Sequence, residues 1–329
     1  MFSIQQSGEA TFQLVSVEAD RAIERPLQAC QAGLAVVNTI RGCSFNCLFC
    51  PVRRRPSDQH TIYLRSNVTE LLERELDRRA RAGLLAAGVV INSFSDSFQP
   101  MSASLALTYE AMRIVLSRGM DVHVRTRGVI PDGFGDLFLR YPGKVHVQVS
   151  LFSMNAELAR LYEPAAATPQ QRLDSIRALV RFKVDVQARI EPLIPFISDT
   201  AAHLEELVRH LRSVGVTNAS SSYLILRPYM LERMHEKLPL AHYQVIKGIF
   251  KGQPWRKIGI QQDTRLLSQR LREQGYKRLI AIGSRAGLAI NICACQNPGM
   301  GTSCYTPVKN NLTADSPSER QQLDLFPGA

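Results

Sequence analysis

The chain has 329 residues, 45% of them hydrophobic, and a formal net charge of +11. That length and apolar content suffice for one large α/β domain with an appendage. No apolar run approaches the ~20 residues that cross a bilayer, which excludes a spanning helix, and the basic balance suits either a phosphate polyanion or a generally basic soluble protein.

Met1 to Gln6 has neither a basic n-region nor an apolar h-region, so no secretion signal is expected. Seven cysteines in three groups then point to a reducing cytoplasm and to metal ligation in place of disulfides. Residues 1–33 read as an N-terminal extension with little pattern. Cys30 lies there alone, as a buried small hydrophobe or as part of a set completed later in the chain. Leu34 to Thr39 predicts the first strand, which runs into Gly42-Cys43-Ser44-Phe45-Asn46-Cys47-Leu48-Phe49-Cys50-Pro51. Cys43, Cys47 and Cys50 stand at C-x3-C-x2-C spacing, so three thiolates can converge on one soft metal centre. A closed structural zinc site needs four ligands, and no fourth Cys or His follows at finger spacing. A three-cysteine iron–sulfur cube leaves one iron open; a zinc loop short of one ligand is the alternative. Arg53-Arg54-Arg55 is a solvated turn or a phosphate grip beside it.

Ser66-Asn67-Val68-Thr69-Glu70 predicts a helix start with an N-cap and an acid in the first turn, and Leu71, Leu72 and Leu76 continue at helical spacing. Strands are predicted over 88–93, 122–126, 145–150, 184–190 and 220–226. Helices are predicted over 105–118, from Thr168-Pro169 with Pro in the first turn, and around Leu204, Leu207, Val208 and Leu211. Strand and helix thus alternate six times between 34 and 230, which implies a parallel sheet with helices outside. Closed or partly closed, such a sheet is a barrel whose chemistry sits at the carboxyl ends of its strands. Ser93, Asp96, Thr126, Arg127, Ser150, Ser153, Arg189 and Glu191 collect at those ends.

Residues 231–308 form a C-terminal region in which Ala289 to Ile292 is strand-like. Cys293, Cys295 and Cys304 follow it. With Cys30 they make a possible auxiliary site for an iron–sulfur cluster or for zinc; buried thiols are the alternative. From 309 to 329 the composition turns polar and predicts a flexible tail. It ends in Gln321-Gln322-Leu323-Asp324-Leu325-Phe326, apolar anchors of the kind that dock in a partner's groove; a tail that packs back on its own domain is the alternative.

The cysteine triplet with Phe49 before its last member resembles the signature of the radical S-adenosylmethionine enzymes. Val36 to Cys43, Ser95 to Pro100, Arg125-Thr126-Arg127, Glu163-Pro164 with Arg172-Leu173, and Ile194 to Asp199 resemble segments of the spore-photoproduct-lyase-like proteins within that superfamily. The resemblance covers about residues 35–200. It implies an α/β fold, a partial (β/α)6 TIM-type barrel over 34–230, and a [4Fe-4S] cluster on Cys43, Cys47 and Cys50. It further implies S-adenosylmethionine on the open iron, a reducing electron donor, and a 5′-deoxyadenosyl radical. Phe49, Ser93, Asp96, Arg127, Ser150 and Arg189 are the candidates for contact with that cofactor. The chain departs from the pattern in two places. Arg127 stands where a Lys is usual, and no cysteine occurs between Cys50 and Cys293, so the hydrogen donor of the type reaction is missing from the barrel unless a Tyr or a distant Cys, such as Cys293 or Cys295, replaces it. Gln322, Leu323, Leu325 and Phe326 are similar to the motif that binds the bacterial sliding clamp. These features together imply a DNA-directed, lyase-type repair enzyme. The alternatives are a radical enzyme modifying RNA, a peptide or a small metabolite, and a non-enzymatic iron–sulfur nucleic-acid-binding protein.

Overall fold

The computed structural model describes residues 12–26, 29–52, 61–258 and 263–300. Arg53-Arg54-Arg55, Cys304 and the tail motif at Gln322, Leu323, Leu325 and Phe326 lie outside the described residues.

Strands β1 (Gln13–Val17), β2 (Ile23–Glu24), β3 (Ala35–Val37), β4 (Ile40–Arg41) and β5 (Thr61–Arg65) precede helix α1 (Val68–Arg81). The alternating part comprises β6 (Gly88–Ile91), α2 (Ser102–Leu116), β7 (Asp121–Thr126), α3 (Gly135–Arg140), β8 (Val145–Ser150), α4 (Ala156–Tyr162), α5 (Pro169–Arg181), β9 (Asp185–Leu193), α6 (Ala201–Ser213) and β10 (Asn218–Tyr223). Then come α7 (Met230–Lys237), α8 (Leu240–Ile249), a hairpin of β11 (Arg256–Lys257) and β12 (Asp263–Thr264), α9 (Gln269–Ala286) and β13 (Ala289–Ile292). No helix among the described residues is long and apolar enough to cross a membrane.

The main sheet has the order β13-β10-β9-β8-β7-β6-β3-β2. It is parallel from β13 to β3, and β2 is antiparallel at the edge. The six strands expected between 34 and 230 are β3 and β6 to β10, in a partial TIM-type barrel. β13 adds a further parallel strand from the region read as a C-terminal extension, and β1, from the weakly patterned N-terminus, pairs with β5 in a small second sheet.

Alternation along the strands separates two environments. Val89, Ile91, Val122, Val124, Val147, Val149, Ala188 and Ile190 share one apolar core with Leu72 and Leu76 of α1 and Leu173 and Ile176 of α5. Burying each larger aliphatic side chain contributes about 1.5–3 kcal/mol, which locks the register against a one-residue slip. The alternate positions are different in kind. Val36 and Val90, with Leu34, make a small separate cluster. His123, Gln148, Ser150, Gln187 and Arg189 are buried there and polar. The helices therefore cover an oily face, and the barrel interior is lined with charge and amides.

Local signals behaved unevenly. At α5 the Thr168 hydroxyl accepts from the Gln171 amide, the Gln171 side chain returns to Thr168, and Pro169 occupies the first turn. At α1 the expected cap is absent: Asn67 precedes the helix without a capping bond. Its carboxamide instead exchanges hydrogen bonds with the backbone of Ala19, at 2.8 and 3.0 Å. A tertiary contact to the segment after β1 outcompeted the local one.

Candidate functional site

The cysteine loop leaves β3 through a fixed joint. Asn92, at φ +56°, donates its amide to Val37 O at 2.8 Å, and its Oδ1 accepts from the Thr39 amide at 2.8 Å. Gly42 follows at φ +94°, with a would-be Cβ only 2.7 Å from Thr61 O. No side chain fits there. Gly42→Ala is expected to cost about 1–3 kcal/mol in backbone strain. It should lower both the thermal midpoint and the iron retained after reconstitution; wild-type values for both would contradict this reading of the loop.

Past Gly42 the loop is gripped on all sides. Gln99 Oε1 accepts from the Ser44 amide at 2.6 Å, and Gln99 Nε2 donates to Gly42 O at 3.3 Å and to Ser95 Oγ at 2.8 Å. The Leu48 amide donates to Tyr162 O at 2.9 Å, and Phe45 O accepts from the Ala165 amide at 3.2 Å. The Cys50 amide closes a turn onto Cys47 O at 3.1 Å. Arg233 of α7 donates to Leu48 O at 2.6 Å and to Cys50 O at 3.2 Å. Gln99 was legible in the quoted segment Ser95 to Pro100. Arg233, almost two hundred residues away, carried no signal in the sequence.

Cys47 is buried, and Cys43 and Cys50 are partly exposed. Burial first, then the Glu163 carboxylate, pushes the Cys47 thiol well above its ordinary value. A metal bound there must displace that proton. Ser44 Oγ is buried with no hydrogen-bond partner among the described residues. Three sulfurs on one short loop beside an orphaned hydroxyl fit a centre with one coordination position left to a non-protein ligand.

The candidate cofactor contacts divide by role. Asp96 accepts from the Phe98 amide at 2.9 Å, Thr126 Oγ1 at 2.7 Å and the Arg127 amide at 2.7 Å. Burial raises its carboxyl above the ordinary value against the pull of these donors. Its oxygens thereby tie the loop after β6 to the end of β7. Arg127 lies over the Phe49 ring at 5.2 Å, and its Nε meets Glu163 at 2.7 Å. Glu163 also accepts from Arg172, whose other arm donates to Ser150 O at 2.8 Å. Phe49 further meets Phe152 edge-on at 6.2 Å. Arg189 pairs with Glu191 and donates to Gln148 Oε1 at 3.3 Å, and Gln148 Oε1 also accepts from Arg125 at 2.8 Å. Burial disfavours the charge on Glu191, but Arg189 and Arg127 outweigh it and hold the carboxyl down to about 2. Ser93 sits in the turn after β6, half-buried. The strand ends thus carry a connected, ionised layer that runs from the cysteine loop into the barrel. The structure also brings Cys30, Cys293 and Cys295 together.

Comparison with known proteins follows the same lines. The family model for the Radical SAM superfamily matches residues 37–211. An uncharacterized protein of Mycobacterium tuberculosis is 26% identical over 204 residues, 58% of this chain and 58% of the relative; the chain spans less than two thirds of that protein. An uncharacterized protein of Acidianus two-tailed virus is 24% identical over 224 residues, 61% of this chain and 71% of the other. Among solved structures, a spore photoproduct lyase mutant with bound AdoMet and dinucleoside spore photoproduct superposes at TM-score 0.67 and 13% identity, over 84% of this chain and 81% of the other. At that identity the likeness speaks for the fold.

Proposed function

The chain belongs to the radical SAM superfamily, and from that premise we propose that it is a lyase-type radical enzyme acting on a damaged base in DNA. Membership implies a [4Fe-4S] cluster and S-adenosylmethionine. In this reading Cys43, Cys47 and Cys50 hold the cluster, and Phe49, Arg127, Ser150 and Arg189 face the cofactor beside it. When bound, the pair supplies a 5′-deoxyadenosyl radical for hydrogen abstraction. The chain's own residues orient and enclose. Asp96 and Glu163 hold the ends of β7 and α5 against the loop, Glu191 keeps Arg127 and Arg189 in place, and the helices keep water from the barrel wall.

The observation that carries the choice of DNA is where the basic appendage is fastened. Between Arg227 and Arg265 the sequence has eight Lys and Arg against three Asp and Glu. This stretch is clamped to the cysteine loop by Arg233, and the loop's neighbour Tyr162 shares a 3.2 Å hydrogen bond with His242 of α8. Lys251, Arg256 and Lys257 are exposed on it. Trp255, 42% exposed, lies beneath the Arg265 guanidinium at 4.4 Å, and Tyr229 is 61% exposed. Cations that pair phosphates and aromatic faces that stack bases are what a nucleic acid backbone and an unstacked base require. The fold likeness to a lyase solved with a dinucleoside photoproduct supports the same choice.

Reversing the charge of Lys251, Arg256 and Lys257 to Glu is expected to weaken duplex DNA binding roughly 10- to 100-fold at low salt. It should also flatten the slope of log affinity against log salt by about 2–3, close to one per lost phosphate contact. Fluorescence anisotropy with a salt series measures both; an unchanged slope would remove this face from the interface.

A further inference from the structure

We propose that Cys30, Cys293 and Cys295 form a second metal site, a thiolate centre for a thiophilic metal, which joins the two open edges of the barrel. The sheet ends at β2 and β3 on one side and at β13 on the other. Cys30 sits in a 3-10 turn, Ala29–Gln31, between β2 and β3. Cys293 continues β13, its amide donating to Ser221 O at 3.1 Å, and Cys295 lies in the 3-10 turn Ala294–Gln296 that follows. Yet Cys295 Sγ is 3.5 Å from Cys30 Sγ, across 265 positions of chain, and 2.8 Å from Cys293 Sγ. The fold spends its seam on sulfur.

The sulfurs lie in direct contact, at a spacing that is not a disulfide's. Cys293 and Cys295 are not bonded to each other, since their 2.8 Å separation is far beyond a disulfide at about 2.05 Å. Sulfurs on a tetrahedral metal with bonds of about 2.3 Å stand about 3.8 Å apart. Among the described residues no group of three or more His, Cys, Asp and Glu already stands where it could hold a metal ion. The trio's spacings of 2.8 and 3.5 Å are tighter than a loaded centre needs, so loading requires Cys295, partly exposed on a short turn, to shift outward. Three thiolates leave one position for a further ligand.

The surroundings are built for such a centre. Arg125 places a guanidinium nitrogen 3.9 Å from Cys30 Sγ, a cation that favours the thiolate. Asn297 Nδ2 donates to Cys293 O at 2.8 Å, and Asn297 Oδ1 accepts from Tyr276 at 2.9 Å and Arg272 at 3.2 Å. This outer layer fixes the turn that carries the sulfurs. Gln31, next to Cys30 in sequence, is fully buried with both amide atoms unpartnered among the described residues.

The test counts metal and does not depend on the DNA reading. Full-length wild type and C30A/C295A are produced in parallel under iron-replete anaerobic and zinc-replete conditions. Iron, acid-labile sulfide and zinc per chain are then measured by plasma mass spectrometry and colorimetry. The double variant is expected to lose one centre's worth of metal in one arm: iron with sulfide identifies an iron–sulfur centre, zinc without sulfide a zinc centre. The same is measured on C43A/C47A/C50A, which should keep that centre. Equal metal in wild type and C30A/C295A under both conditions overturns the proposal.

Discussion

Replacing Cys47 with alanine is expected to abolish S-adenosylmethionine cleavage, lowering 5′-deoxyadenosine formation by roughly a thousandfold or more, about 4 kcal/mol on the barrier scale. The three loop cysteines are the only thiols in that segment, so a lost ligand has no substitute there. Cys47 is the decisive choice because it is the buried one, between Phe45 and Leu48. Alanine removes one sulfur from an apolar setting, and the loop's grips through Gln99, Tyr162 and Arg233 use backbone atoms that the change leaves in place. The apo-protein should therefore fold with near wild-type circular dichroism while its iron and its visible cluster absorption fall. Retained iron with retained cleavage would remove Cys47 from the ligand set.

The largest expected effect on stability is at Glu163. Its carboxylate is 1% exposed and bridges Arg127 and the equally buried Arg172. Glu163→Gln keeps the shape and removes the charge, which leaves Arg172 with backbone carbonyls of Ala167 and Ser150 for acceptors and Arg127 with Glu191, which Arg189 also holds. Breaking a buried pair from one side costs about 3–5 kcal/mol, because the remaining charge stays out of water. The denaturant midpoint of the metal-free protein should fall accordingly, with the slope unchanged. Arg172→Met, which removes one of the two cations and keeps much of the volume, should cost less when combined with Glu163→Gln than the sum of the single changes. Strict additivity, or a loss under about 1 kcal/mol, would mean that the pair is solvated.

Much of this was legible from side-chain order. The six strands and the helices between them follow from apolar runs broken by capped helical stripes, and the resemblance carried by Cys43, Cys47, Cys50 and Phe49 pointed to the superfamily and to the partial barrel. Asp96, Arg127 and Glu163 were visible as polar residues at strand ends or in matched segments, as were Thr126, Arg172 and Glu191, but which of them pair was not. A salt bridge between Glu163 and Arg172 has no local period, and Arg233 reaches the cysteine loop through a tertiary fold that no spacing encodes. Asn67 shows the same limit, since a good capping residue was drawn away by the backbone of Ala19. The grouping of Cys30 with Cys293 and Cys295 lay between these cases. Counting cysteines suggested it, but only the meeting of the sheet's two edges brings the sulfurs within contact.

The central claim is a radical enzyme whose substrate is damaged DNA. Its most direct test is 5′-deoxyadenosine formation by the anaerobically reconstituted, reduced full chain, with no DNA, with intact duplex, and with UV-irradiated duplex. The account predicts slow background cleavage in the first two and marked stimulation by irradiated DNA alone, with loss of the photoproduct in step. Cleavage that is indifferent to DNA of either kind would contradict it and leave a superfamily member with a different substrate.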